Sequence, residues 1–257
     1  MLVFPLTLNY FSPYLIVNGS FEGAASGSLL LFLGLFLSGF FFGRAFCGWL
    51  CPAGALQEVC AGINPKPASP RQNPIKYWLW VPWLGSIAAG FVTAGGLRKI
   101  DPIYMTDGGI SVAAPSGYVV YFAVILLIVG LSLAFGRRSF CHSVCWMAPF
   151  MLLGSRVRSR LSYPALRLEA RPDLCIGCST CTRNCPMSLD VKNMVQSGRT
   201  DHDECILCGT CGDVCPKGAV DIRFGCKRRE TPDEQREHDD LHSAGAAAAR
   251  AHERIRS

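Results

Sequence analysis

Three long stretches of this chain, 23–43, 77–97 and 108–136, contain no Asp, Glu, Lys or Arg. Soluble domains scatter charge more evenly, so this pattern argues against a purely soluble first half. Also missing is any C-x-x-C-H run, which excludes c-type haem attachment. There is no Walker A run and no G-x-G-x-x-G loop, so the usual nucleotide-binding signatures are absent. No histidine falls within the uncharged stretches, which leaves no paired-histidine haem ligation there. Nothing in the chain points to nucleic acid as a partner.

Each uncharged stretch is long enough to cross ~30 Å of hydrocarbon as a helix. Residues 1–21 are uncharged too, but Pro5, Asn9, Pro13 and Asn18 interrupt them. No basic residue precedes them as in a secretory signal peptide, so they read as a shortened first span, the fourth in all. Flanking charge sets the orientation. Arg44, Lys66, Arg71 and Lys76 face only Glu58 after the second span, and a run of arginines from Arg137 to Arg171 follows the fourth. Between the third and fourth spans, Arg98 and Lys99 are balanced by Asp101 and Asp107. The basic ends are expected in the cytoplasm, in a multi-pass protein of the inner membrane.

Cysteine is abundant, 14 among 257 residues, and its spacing is informative. Cys175, Cys178, Cys181 and Cys185-Pro186 form one C-x2-C-x2-C-x3-C-P run, and Cys205, Cys208, Cys211 and Cys215-Pro216 form another. Three thiolates of such a run hold one [4Fe–4S] cluster and the fourth ligates the other cluster. The spacing therefore predicts one cluster on Cys175, Cys178, Cys181 and Cys215, and a second on Cys205, Cys208, Cys211 and Cys185. Structural zinc prefers four ligands in two pairs, not a repeated four-cysteine run closed by proline. Such thiolates also require a reducing compartment, in agreement with the charge bias. A short helix is expected over 187–197 and a strand over 218–223.

A second repeat ends the second and fourth spans: Gly43-Arg44-Ala-Phe-Cys47-x3-Cys51-Pro52, and Arg138-Ser-Phe-Cys141-x3-Cys145-Trp146. Residues four apart share a helix face, so each pair can present two thiols together. Four converging sulfurs could hold a third cluster or a soft metal such as copper, act as dithiols beside a quinone, or pack as small hydrophobes.

The tandem runs and the two boundary pairs together resemble the NapH/MauN-type membrane ferredoxin family, over residues 1–226. They are similar in plan to the C-terminal half of NosR and to CcoG. The resemblance implies four helices, cytoplasmic clusters and electron exchange between a quinone pool or membrane-bound redox partner and other electron-transfer subunits. This chain departs from that pattern in its shortened first span, in Trp146 where the first pair has Pro52, and in its tail.

The expected fold is an α-helical membrane protein with a C-terminal α+β bacterial 2[4Fe–4S] ferredoxin-like domain. Its expected parts are a transmembrane domain over 1–154, a basic connector over 155–171 resting on lipid headgroups, a ferredoxin domain over 172–226 and a charged tail over 227–257. The expected function is electron transfer as a subunit of an oxidoreductase. The alternatives are a copper-reducing assembly factor using Cys47, Cys51, Cys141 and Cys145, and a cluster-based membrane sensor.

Overall fold

The computed structural model describes residues 7–106, 108–111, 115–161 and 163–226. The tail expected over 227–257 lies outside the described residues. A 3-10 turn, Leu8–Phe11, leads into the nine-residue helix α1, Pro13–Phe21. At 1.5 Å per residue α1 spans about 14 Å, too short to cross a bilayer alone.

The three uncharged stretches each supply one helix: α2 (Gly27–Phe42), α5 (Ile75–Thr93) and α6 (Pro115–Phe135). Of these only α6 is long and apolar enough to cross a membrane; α2 is apolar but shorter. The flanks of the stretches go elsewhere. Ala24–Ser26 is strand β1, paired in parallel with β2, Lys99–Asp101. This small sheet lies at the end of α2 and α5 opposite the cysteine pairs. Val119, Phe122 and Leu126 on α6, Leu33 and Leu37 on α2, and Trp78 and Val92 on α5 are all exposed. Apolar surface on this scale is stable in water only when something apolar covers it.

Short elements carry the cysteine pairs. Ala45–Trp49 (α3) and Ser139–Ser143 (α7) are single turns. Helix α4, Pro52–Ile63, starts directly after Cys51, with Pro52 in its first turn. The second copy lacks that proline, and its following helix, α8 (Ala148–Arg160), starts later with Pro149 in the first turn.

The stretch 155–171, expected as a basic connector, carries regular secondary structure. It comprises the end of α8 and then strand β3, Ala165–Ala170, which pairs antiparallel with β4, Val220–Gly225. Three of its arginines bond within the chain. Arg156 Nε donates to Asp203 at 2.8 Å, Arg167 Nη2 to the Arg158 carbonyl at 2.6 Å, and Arg158 Nη1 to the Leu166 carbonyl. Between β3 and β4 come one-turn helices α9 (Thr180–Arg183) and α11 (Thr210–Asp213), with α10 (Val191–Gln196) between them where a short helix was expected. The buried core is continuous across both halves. Phe32, Leu35 and Met151 belong to one apolar cluster with Met187, Val191, Ile206 and Val220.

Helix α8 lies along α2 through two glycines. A Cβ on Gly154 would stand 2.7 Å from the Gly39 carbonyl carbon, whereas Gly85 on α5 has nothing within 4 Å. Gly154→Ala should therefore cost about 1–3 kcal/mol through overpacking, while Gly85→Ala should not destabilise. Thermal unfolding of the two variants in detergent checks this; equal midpoints would remove the close helix approach.

Candidate functional site

The tandem runs fold as paired loops. Each begins in irregular backbone, makes one helical turn, and sends its fourth cysteine toward its partner. Two recesses result. One, of about 390 Å³, is lined by Cys175, Cys178, Cys181 and Cys215; the other, of about 400 Å³, by Cys205, Cys208, Cys211 and Cys185. Each thus unites three cysteines of one run with the last of the other, the grouping that the spacing predicts.

The walls suit a sulfur-bound cluster. They are otherwise mostly apolar, and backbone and hydroxyl groups meet the sulfurs. Ala219 N donates to Cys215 Sγ at 3.3 Å, and Thr210 Oγ1 lies 3.4 Å from Cys208 Sγ. In the metal-free chain burial pushes the Cys205 and Cys211 thiols up, to about 11 and about 12. Thiolate ligation there must release protons as the metal enters. Cys178 is fully exposed, and its hydrogen bond with the Thr180 side chain moves its thiol down.

The boundary pairs also converge. Cys47, Cys51, Cys141 and Cys145 are all buried in one cluster and close enough to influence one another electrostatically. The two copies share one turn: Cys51 N donates to the Phe46 carbonyl at 2.9 Å, and Cys145 N to the Phe140 carbonyl at 3.0 Å. They are also tied to each other. Arg138 Nη1 donates to the Cys47 carbonyl at 2.8 Å, and Gln57 Nε2 to Cys141 Sγ at 3.1 Å. Among the described residues, no three His, Cys, Asp or Glu side chains are gathered tightly enough to hold one metal ion. An apolar cavity of about 630 Å³ borders Cys51 and Cys145, with Trp146 and the α6 residues Val120, Val124 and Ile128 among its walls.

Sequence reasoning missed the charges around these sulfurs. Glu204, directly before Cys205, is buried and accepts from Arg44 Nη1 and Lys76 Nζ, each at 2.5 Å. Burial would raise the Glu204 carboxyl, but the two cations outweigh it and hold it down at about 2. Arg44 also faces Cys47, and its Nε and Nη2 have no other partner. Arg138 pairs with Glu58 at 2.6 Å. Burial raises the Cys47 and Cys145 thiols, and the charge of Arg44 at both and of Arg138 at Cys47 opposes it in part. The nearest signals in the sequence were the Gly-Arg preceding each pair and a lone lysine at the head of an apolar helix. His142 is buried with Nδ1 2.6 Å from Asn73 Oδ1, and burial pushes it down to about 4, so it is neutral at physiological pH. Cys60 is buried and Cys226 exposed, and neither joins a set.

A family model described as a 4Fe–4S binding domain matches residues 25–68 and 116–164, which include both boundary pairs. A second, a 4Fe–4S dicluster domain, matches 174–220. The chain thus carries 4Fe–4S ferredoxin-type domains. It is 27% identical to the methylamine utilization ferredoxin-type protein MauN of Paracoccus denitrificans, over 68% of this chain and 60% of that protein. It is 28% identical to the putative electron transport protein YccM of Escherichia coli, over 75% of this chain and 55% of that protein. Against the regulatory protein NosR of Pseudomonas aeruginosa it is 28% identical over 62% of this chain and 22% of that protein. The chain therefore spans little more than half the length of the first two relatives. No solved structure matches it.

Removing the Glu204 carboxylate leaves two cations buried and unpaired. Glu204→Ala should destabilise the protein by about 3–5 kcal/mol. Chemical denaturation of the variant beside the wild type measures this; a loss under about 1 kcal/mol, the scale of an exposed pair, would show that the triad is solvated.

Proposed function

We propose that this chain is a membrane-anchored electron relay whose two ferredoxin-type sites exchange electrons with a partner in or at the membrane. The reading rests above all on the two recesses, each gathering four cysteines from both runs. When bound there, [4Fe–4S] clusters supply one-electron chemistry with little rearrangement. The chain's own residues hold that chemistry in place: Cys175, Cys178, Cys181 and Cys215 as one ligand set, and Cys205, Cys208, Cys211 and Cys185 as the other. Apolar walls limit water, and N–H and hydroxyl groups near sulfur tune the potential.

In this reading α2, α5 and α6 cross the cytoplasmic membrane, and the short α1 occupies the fourth position. The exposed apolar faces of the three helices support it, as does the excess of basic residues at the end that carries the cysteines. Residues 1–154 form the membrane part and 172–226 the cytoplasmic ferredoxin part, with β3 joining the second to the end of α8. The partners are a quinone or a membrane-bound redox protein on one side and further electron-transfer subunits on the other. The cavity beside Cys51 and Cys145 has apolar and aromatic walls suited to a quinone ring.

The same reading makes Cys47, Cys51, Cys141 and Cys145 a third thiolate centre, neutralised by Arg44 and Arg138. Their convergence in a basic, buried setting supports this. Iron analysis with EPR of the anaerobically purified protein tests both statements. About twelve irons per chain, falling to about eight when all four are changed to serine, is the expected result. About eight irons in both proteins would leave the boundary cysteines to copper or dithiol chemistry, and fewer than about four would sink the relay itself.

A further inference from the structure

The two ferredoxin-type sites are held very differently by the rest of the chain. Gly48 lies inside the first boundary pair, between Cys47 and Cys51. A Cβ there would stand 2.6 Å from the Ile206 carbonyl oxygen and 3.3 Å from Cys208 Cβ, so the loop bearing Cys205 and Cys208 rests directly on the boundary turn. Trp49 Nε1 donates to the Leu207 carbonyl at 2.9 Å. Glu204, beside Cys205, is gripped by Arg44 and Lys76.

Arg137, just before the second boundary copy, and the loop after α4 reach Cys185 of the same set and its neighbours. Arg137 Nη1 donates to the Arg183 carbonyl at 2.8 Å and the Cys185 carbonyl at 3.4 Å, and Ala68 N donates to Ser188 Oγ at 3.1 Å. Ile206 and Leu207 are each 2% exposed. The other set has no such ties. Among the described residues, no hydrogen bond or ion pair joins 174–181 or 215–219 to residues 7–160. Ile176 is 62% exposed and Cys178 is open to solvent.

From this asymmetry, and resting on the relay reading above, we infer that the sites have a fixed order. The Cys205, Cys208, Cys211 and Cys185 site is the membrane-proximal one, adjoining the boundary thiols. The Cys175, Cys178, Cys181 and Cys215 site is the distal one, at which a water-soluble redox protein meets the chain. Electron tunnelling falls off exponentially with separation, so nearness assigns each site its neighbour. Gly48 is a positioning residue for the proximal site, since no larger side chain fits between the boundary turn and the Cys205 loop.

The test is EPR power saturation of the full chain, reconstituted in lipid nanodiscs and partly reduced with dithionite, with and without a water-soluble dysprosium chelate. Cys178→Ser and Cys208→Ser assign the signals, because each shifts or abolishes the spectrum of its own site. The chelate should raise the half-saturation power of the Cys178-site signal several-fold more than that of the Cys208-site signal. Equal or reversed enhancement would overturn the order while leaving two clusters in place; absence of both signals would instead overturn the relay reading beneath it. Gly48→Ala gives a second readout that needs no chelate. It should shift the g-values of the Cys208-site signal and leave those of the Cys178-site signal unchanged, and a shift confined to the latter would contradict the assignment.

Discussion

Arg44 and Lys76 are almost completely removed from water, a transfer that costs several kcal/mol per ion unless a counter-charge meets it. Glu204 is that counter-charge, and its place in the chain matters more than its strength. Arg44 closes the turn after α2, Lys76 opens α5, and Glu204 stands one residue before the first cysteine of the second run. One carboxylate therefore draws the ends of two apolar helices and a cysteine loop to one point. Replacing the triad with apolar residues could preserve stability, because well-packed hydrophobic groups often match a buried ion pair. It would not preserve the same geometric constraint, since apolar contacts are not directional. The charge cluster supplies register more than net free energy.

Its surplus of positive charge has a further effect. Arg44 turns one nitrogen to Glu204, and its Nε and Nη2 have no partner besides the Cys47 thiol. A buried donor without an acceptor is expensive. Anionic sulfur nearby would meet that need, whether as thiolate or in a thiolate-bound metal centre. The boundary cysteines and the triad thus make physical sense together and less sense apart.

The cysteine grouping was legible in the sequence because it follows from spacing within a dozen residues, where chain geometry leaves few choices. So were the helices of the three uncharged stretches, the strand near 220 and the short helix near 191. Interactions between remote residues were not legible. Arg44 and Glu204 are 160 positions apart and Lys76 and Glu204 128, so no local pattern connects them. The bonding partners of the arginines in the basic connector were not legible for a related reason. Its arginines resemble a lipid-facing flank by composition, yet Arg158 and Arg167 satisfy backbone carbonyls and Asp201 inside the fold. Composition cannot separate an arginine that meets phosphate from one that meets a carbonyl. The flanks of the uncharged stretches show the same limit, since Ala24–Ser26 is as apolar as a helix but pairs as a strand.

A soluble ferredoxin tethered to a membrane would need only a flexible linker, and the distance from its clusters to any membrane centre would then vary with every fluctuation. This chain instead continues one buried core from Phe32 and Met151 through Cys145 to Ile206 and Val220. Close-packed interiors resist compression and transmit position, so the second cysteine loop cannot drift from the boundary turn without opening that core. Because tunnelling depends so steeply on distance, a fixed separation gives a fixed rate, whereas a linker gives a broad distribution of rates. If the proposed relay holds, the continuous core is the feature that distinguishes it from an anchored carrier, and the short step from α8 to β3, Arg160 to Ala165, fits that reading.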